Sequence, residues 1–354
     1  MKVGIMTFHR ARNCGAVIQC FALQNFLRQK GFDAVVFDYI PQGRLRRLKN
    51  FLFGGGEYRR NCRTFAAFRK KYLTLSRSAL PEVAAACQAV ISGSDQVWNL
   101  NYAQKADGSL DLAYFLDFIT GDSPKRIAYA ASAGNGLTSP KWQDVKFLLQ
   151  KFSAISVREP GLALELAKYG ISASVVADPT FLLVPADYRE LISPGVKSDY
   201  FGYLLKENLF GAKAFQNWSN SGAVCQVMPC EAGAGRNFDW GSSAVIPISP
   251  GGFLSGISGA KKVLTDSFHG TVFSLLFNRP FVTLVKSTDN GGGNERLANL
   301  LEKCGLSDRL VPASDVSIED MDKLLDTPVD WERVNDAIAD LRLDSGNWLV
   351  ENLK

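Results

Sequence analysis

Val263-Leu-Thr-Asp-Ser-Phe-His269-Gly-Thr-Val-Phe-Ser-Leu-Leu-Phe277 places a histidine where an apolar strand gives way to an apolar helix. The chain has only two histidines, so this position singles out His269. An imidazole moves protons near neutral pH. Open α/β sheets bind ligands outside the carboxyl ends of their strands, where the next helix offers free N–H groups. Gly270 allows a ligand to approach the backbone, and Ser267 suits a helix N-cap or a hydroxyl donor to phosphate. Asp266 lies in the same loop.

Four other segments have polar groups at a strand end or a helix start. Ser92-Gly-Ser-Asp-Gln-Val-Trp-Asn99 offers Ser94, Asp95 and Gln96 to a polar ligand; it reads equally as a turn that buries Trp98. Asn13-Cys-Gly-Ala-Val-Ile-Gln19 opens a helix through Asn13 and Gly15, as a tight turn or a ligand contact, and lacks the GxGxxG spacing of a dinucleotide site. His9, Arg10 and Arg12 precede it and are expected to face the same cleft, His9 as a loop residue. Arg158, in Ser156-Val-Arg-Glu159, can fork onto a carboxylate or phosphate, or pair with Glu159. Gly291-Gly-Gly-Asn-Glu-Arg296 reads as a lid or phosphate loop with Arg296 as its cation.

The elements that must hold these residues alternate β and α. Strands are expected at 2–8, 34–39, 89–92, 126–130, 154–157 and 175–177, with helices at 16–29, 140–152 and 161–169. A second series has strands at 200–205, 223–229, 262–265 and 281–284, with helices at 212–220, 250–260 and 271–278; a helix at 297–303 follows the glycine-rich loop. The pattern is that of parallel, doubly wound sheets: an α/β protein of two Rossmann-like domains facing a cleft. Pro185, Pro194 and Gly195 put the boundary near 190, giving domains 1–190 and 191–330. A helix over 331–343, in a C-terminal segment 331–354, is expected to pack back on the first domain.

With 354 residues, the chain exceeds what one hydrophobic core ordinarily serves. Seven cysteines without a CxxC pair argue against a disulfide framework or zinc site, and for a reducing compartment. Two histidines cannot build a His-rich metal site, and neither GxSxG nor GxxxxGK[ST] occurs, so no metal, esterase or P-loop chemistry is expected. No run approaches the ~20 apolar residues of a membrane span, and the start is too short for a secretory signal; a cytoplasmic protein is expected. Residues 44–71 carry Arg44, Arg46, Arg47, Lys49, Arg59, Arg60, Arg63, Arg69, Lys70 and Lys71 against one acid, Glu57, interleaved with apolar residues including Phe65 and Phe68. This is a solvated helical face, or a surface for anionic lipid at the inner membrane face or for a diphosphate-bearing acceptor; nucleic acid is not expected without a recognition motif.

Taken in order, Asn13-Cys-Gly-Ala-Val-Ile-Gln, Ser92-Gly-Ser-Asp-Gln-Val-Trp-Asn, Ser156-Val-Arg-Glu, Ala177-Asp-Pro-Thr-Phe-Leu-Leu183, Val263-Leu-Thr-Asp-Ser-Phe-His-Gly and Gly293-Asn-Glu-Arg-Leu resemble the polysaccharide pyruvyl transferase family. The resemblance implies a fold like the B-type glycosyltransferases, with the site between the domains. It implies transfer of pyruvate from phosphoenolpyruvate, a co-substrate with no other cofactor, onto two hydroxyls of a sugar in a cell-surface polysaccharide precursor. The sugar could be lipid-diphosphate-linked; the products are a cyclic ketal and phosphate. His269 lies at the proposed catalytic histidine and Arg158 at a donor-holding arginine. His269 would protonate the donor's methylene carbon or assist phosphate departure, and Asp95 or Asp266 would take the hydroxyl proton or orient His269. Some members carry Arg where this chain has Ser267, so another cation must serve here, Arg296 or Arg10. A nucleotide-sugar glycosyltransferase and a non-catalytic sugar- or anion-binding relative share the architecture.

Overall fold

Short buried runs rich in Val, Ile and Ala, each followed by an apolar helix, assemble into two parallel sheets, the form such runs take when helices cover both faces. The computed structural model describes residues 1–41, 51–101, 109–134, 142–205, 209–229, 238–285 and 294–354. The first sheet contains β1 (Lys2–Met6), β2 (Asp33–Val36), β3 (Ala89–Ser92), β4 (Lys125–Ala131), β5 (Ala154–Val157) and β6 (Ser174–Val175), in the order β2-β1-β3-β4-β5-β6. The second contains β7 (Ser198–Leu204), β8 (Cys225–Pro229), β9 (Ala244–Val245), β10 (Ala260–Thr265), β11 (Phe281–Val285) and β12 (Leu310–Pro312), in the order β12-β11-β10-β7-β8-β9.

Each order reverses once, between β1 and β3 and between β7 and β10. Such reversals open the crevices in which α/β sheets hold ligands. Both are stapled by side chains. At the first, the Thr7 hydroxyl donates to the Ser94 carbonyl at 2.9 Å and accepts from the Gln19 amide at 2.9 Å. At the second, the Asp266 carboxylate accepts the Leu205 N–H at 2.6 Å, tying the end of β7 to the loop after β10.

The helix Cys14–Gln29 is buried on nearly every side, from Cys14 through Gln24 and again at Phe26 and Leu27. It packs on its own sheet and against the helix Pro250–Gly259 of the second domain, so its amphipathicity is weak, as expected of a helix enclosed by protein. One large apolar cluster therefore runs from Val3 and Ile91 through Phe21 and Tyr188 to Phe253, Phe273 and Leu349.

The last helix spans Trp331–Leu353, ten residues beyond the expected end at Leu343. Asp344, Ser345, Gly346 and Asn347 are poor helix formers, but small residues are what the packing requires there. A Cβ on Gly346 would lie 3.0 Å from the Phe26 ring, and the Ser345 hydroxyl accepts the Ala177 N–H at 2.9 Å. Arg342 donates to the Phe181 carbonyl at 2.9 Å and Lys125 to that of Asn352 at 3.2 Å, so the helix lies on the first domain.

The basic stretch is also modified by the structure. Residues 44–49 lie outside the described residues. The helix Gly56–Tyr72 buries Phe65, Phe68 and Arg69 in the core. Its apolar stripe is thus consumed within the protein, and Arg69 does not belong to the solvated face. Among the described residues, no helix is long and apolar enough to cross a membrane. The six described cysteines form no disulfide, and five of them are buried.

Candidate active site

The loops after β3, β5, β6 and β10 converge on one buried carboxylate, that of Asp178, whose side chain is 0% exposed. Its Oδ2 accepts the Ser94 hydroxyl at 3.0 Å and Arg158 Nη1 at 3.0 Å. Its Oδ1 accepts the Thr180 N–H at 3.0 Å and the Thr180 hydroxyl at 2.8 Å, capping the 3-10 turn Pro179–Leu182. His269 Nε2, from the other domain, stands 3.8 Å from Oδ2, an ion-pair separation too long for a hydrogen bond. Burial alone would raise the Asp178 pKa. The neighbouring His269, the charge of Arg158 and the Thr180 N–H overcome that effect and hold the carboxyl well below the usual carboxylate range.

His269 is delivered by the first turn of the helix Phe268–Leu276, whose N-cap is Ser267; its hydroxyl accepts the Gly270 N–H at 3.3 Å. Two glycines make this placement possible. A Cβ at Gly15 would lie 2.0 Å from His269 Nδ1, so the first-domain helix can approach the ring only without one. A Cβ at Gly270 would meet the Thr265 hydroxyl at 2.2 Å. His269 Nε2 is buried, with no hydrogen-bond partner among the described residues.

Arg158 is fully enclosed. Beyond Asp178 it faces Asp95 at 3.7 Å and Glu159 at 3.8 Å. Burial works against its charge, but Glu159, Asp178 and Asp95 together outweigh it and raise its pKa. Burial pushes the Glu159 carboxyl above the usual range despite Arg158, Arg296 and the Ser132 hydroxyl, which donates to it at 2.7 Å. Arg158 Nε and Nη2 nevertheless have no hydrogen-bond partner among the described residues, and neither does Arg296 Nε. Both guanidinium groups pack on the Phe268 ring, at 5.1 Å for Arg158 and 4.9 Å for Arg296. Burial and the like charge of Arg158 lower the Arg296 pKa.

The two arginines border a half-open pocket of about 440 Å³, solvent at its mouth included. Arg158, Asp178 and Phe181 line it from the first domain, Phe268, Arg296 and Lys303 from the second. His269, 3.8 Å from Asp178, is not part of that lining. Unpaired buried guanidinium N–H groups are costly unless a ligand completes them. Three carboxylates surround Arg158, at 3.0 to 3.8 Å, and a guanidinium fork of this kind has the geometry to take a carboxylate or phosphate as well.

The other sequence candidates occupy nearby positions with different partners. Asp95, in a left-handed conformation at φ 76°, faces Arg158, and its carboxylate accepts the Gln96 N–H at 2.9 Å. The Gln96 side chain accepts from Asn99 at 2.8 Å, Trp98 is buried, and Asn13 caps its helix by accepting the Ala16 N–H at 3.2 Å. Asp266 serves the strand staple described above. Arg10 is not brought to Arg158; it forks onto Asp38 at 2.6 and 2.5 Å. His9 Nε2 meets the same carboxylate at 3.0 Å while Nδ1 faces the Thr7 carbonyl, and Arg12 stacks on Tyr58. The triple glycine at 291–293 lies outside the described residues. Sequence reasoning did not assign a role to Asp178; its signal was an Asp-Pro-Thr closing a short strand.

Two parallel doubly wound domains with charged groups from both on one cleft define the B-type glycosyltransferase architecture. Within it, the chain belongs to the polysaccharide pyruvyl transferase family, whose model matches residues 13–224 and 242–287. No curated protein matches the chain in sequence. Among solved structures it is similar to S. aureus MnaA solved with UDP (12% identity, TM-score 0.58, covering 99% of this chain and 95% of that one). It is also similar to the Methanocaldococcus jannaschii UDP-GlcNAc 2-epimerase solved with UDP-GlcNAc and UDP (14%, 0.55, 99% of each chain). At such identities the likeness is one of fold.

Asp178 keeps its charge in the folded state below its ordinary pKa of 3.8. Its stabilising contribution is therefore complete above about pH 4 and is lost as pH falls below that value. Asp178→Asn should flatten the acid limb of the stability profile in urea unfolding, and at neutral pH should cost about 1–3 kcal/mol, because Arg158 loses a charged hydrogen-bond partner but keeps Asp95 and Glu159 beside it. An unchanged acid limb would contradict the assignment of Asp178 as the ionised centre.

Proposed function

We propose that this protein transfers pyruvate from phosphoenolpyruvate to two hydroxyls of a sugar in a cell-surface polysaccharide precursor, forming a cyclic ketal and releasing phosphate. The observation that carries this reading is the pair of incompletely bonded guanidinium groups, Arg158 and Arg296, brought from opposite domains onto one aromatic ring. Phosphoenolpyruvate carries both a carboxylate and a phosphate, and two fixed guanidinium groups complement such a donor without rearranging during the reaction. Arg296 stands in for the cation that Ser267 does not supply, since Ser267 caps its helix and Arg10 is held by Asp38.

The chemistry then needs a proton carrier. Protonation of the donor's methylene carbon makes C2 electrophilic, and one sugar hydroxyl adds to it. Departure of phosphate with the C2–O bond electrons regenerates an electrophilic C2, which the second hydroxyl attacks to close the ketal. The two hydroxyls lose two protons; the new methyl group takes one and phosphate the other, so no external acid is consumed. His269 moves these protons, and the ionised Asp178, 3.8 Å from its Nε2, stabilises the ring while it carries one. Asp95, which faces Arg158, orients the donor-binding arginine rather than His269.

The acceptor is read as a lipid-diphosphate-linked sugar. Arg60, Arg63, Lys70 and Lys71 are exposed on the helix Gly56–Tyr72, and Leu52 and Phe53 just before it are 59% and 81% exposed. Basic side chains beside two protruding apolar ones suit a peripheral contact with anionic lipid on the cytoplasmic side. Vesicles containing anionic phospholipid should sediment the wild type at low salt, and replacement of the four cations by Ser should abolish this. Sedimentation that survives the replacement would remove the surface from the account.

Phosphate release from phosphoenolpyruvate should require a sugar acceptor and should fall by about 10²–10⁴-fold in His269→Ala, the range typical of general acid–base groups. Normal turnover in that variant would sink the catalytic role. Binding of a uridine-diphosphate sugar with no binding of phosphoenolpyruvate would replace this reading with the glycosyltransferase one.

A further inference from the structure

The helix Pro160–Ala167 follows directly on Arg158 and Glu159, and it lacks a cap of its own. Glu159 occupies the N-cap position, yet its side chain makes no capping bond, being turned to Ser132 and Arg158. Pro160 has no N–H, so the first donor that the helix presents is Gly161. That N–H is taken by Glu295 of the second domain, whose Oε1 accepts it at 2.7 Å. Contact is close on both sides: a Cβ at Gly161 would lie 2.7 Å from Glu295 Oε2.

Glu295 is also in the first turn of its own helix, Glu295–Lys303, and immediately precedes Arg296. One carboxylate therefore sits at the N-termini of two helices, one from each domain, where the partial positive charges of both favour an anion. Arg296, Asn299 and Lys303 follow at helical spacing and line the same cavity as Arg158. Arg296 is brought there against burial and the repulsion of Arg158, which together lower its pKa. Something must hold the second guanidinium in place before an anion arrives, and Glu295 is the group bonded across the domains at that point. Residues 295–303 lie beyond the end of the family match at 287.

We propose that Glu295 is a positioning residue: by capping the helix Pro160–Ala167 it holds Arg296 of the second domain opposite Arg158 of the first. This rests on the donor reading above. The bond pre-forms a two-domain anion site, so the donor need not spend binding energy on drawing the two guanidinium groups together.

Steady-state kinetics with phosphoenolpyruvate and direct titration of it into the full-length protein test this. A charge-assisted hydrogen bond of this kind corresponds to about a tenfold effect. Glu295→Ala should raise KM and Kd for phosphoenolpyruvate by about that factor with kcat little changed, and should lower the unfolding midpoint modestly, as loss of a helix cap does. Glu295→Gln keeps the acceptor oxygen and should recover most of the loss, whereas Gly161→Ala, which crowds the carboxylate from the other domain, should reproduce it. Unchanged donor affinity in Glu295→Ala, with the wild type binding normally, would overturn the positioning role and leave the donor reading intact. Absence of phosphoenolpyruvate binding by the wild type would overturn both.

Discussion

An ionised carboxylate buried among the ends of three strands is the constraint around which this molecule is arranged. Asp178 receives Ser94 from the loop after β3, Arg158 from the loop after β5 and Thr180 from the turn that follows Asp178 itself. A buried charge on this scale persists only when its neighbours satisfy it fully. Those neighbours are consequently fixed, and with them the site. Arg158, hydrogen-bonded to Asp178 at one nitrogen, has two others without a hydrogen bond among the described residues, facing Asp95 and Glu159 at 3.7 and 3.8 Å.

Across the cleft, the second domain meets Asp178 through one helix turn and lines the adjoining pocket with a second helix, Glu295–Lys303. His269 and Phe268 are adjacent in sequence yet serve different sides: the imidazole lies by Asp178 and Gly15, and the ring of Phe268 carries the two guanidinium groups. The two reversal points face one another because the Trp331–Leu353 helix returns to the first domain and because one apolar cluster spans both. Function in this architecture comes from what the loops carry, since a UDP-GlcNAc 2-epimerase and an O-GlcNAc transferase share the fold.

Much of the fold was legible because its signals are local. Ala89–Ser92 and Ala154–Val157 are apolar runs of strand length bounded by polar loops, and they form strands over those residues. Strands of two or three residues, such as β9 and β12, are too short to show a period, and the end of the last helix was masked by Ser345 and Gly346, which tertiary packing selects against helix propensity. The site was legible where one residue type is unusual, as at His269, or where a strand ends in a charge, as at Arg158. Asp178 and Glu295 were not, for a common reason. Each acts through a partner distant in the chain, Asp178 on His269 and Glu295 on Gly161, and such pairings leave no trace in local spacing. Arg10 shows the converse: an arginine in a promising loop, drawn instead to Asp38.

The most direct test of the account is calorimetric titration of phosphoenolpyruvate into folded wild type, Arg158→Ala and Asp178→Asn. If Asp178 holds Arg158 in its anion-binding pose, both variants should lose donor affinity together, and the double variant should lose little beyond either one. Wild-type affinity in Asp178→Asn, or losses that simply add, would contradict a site organised around that carboxylate.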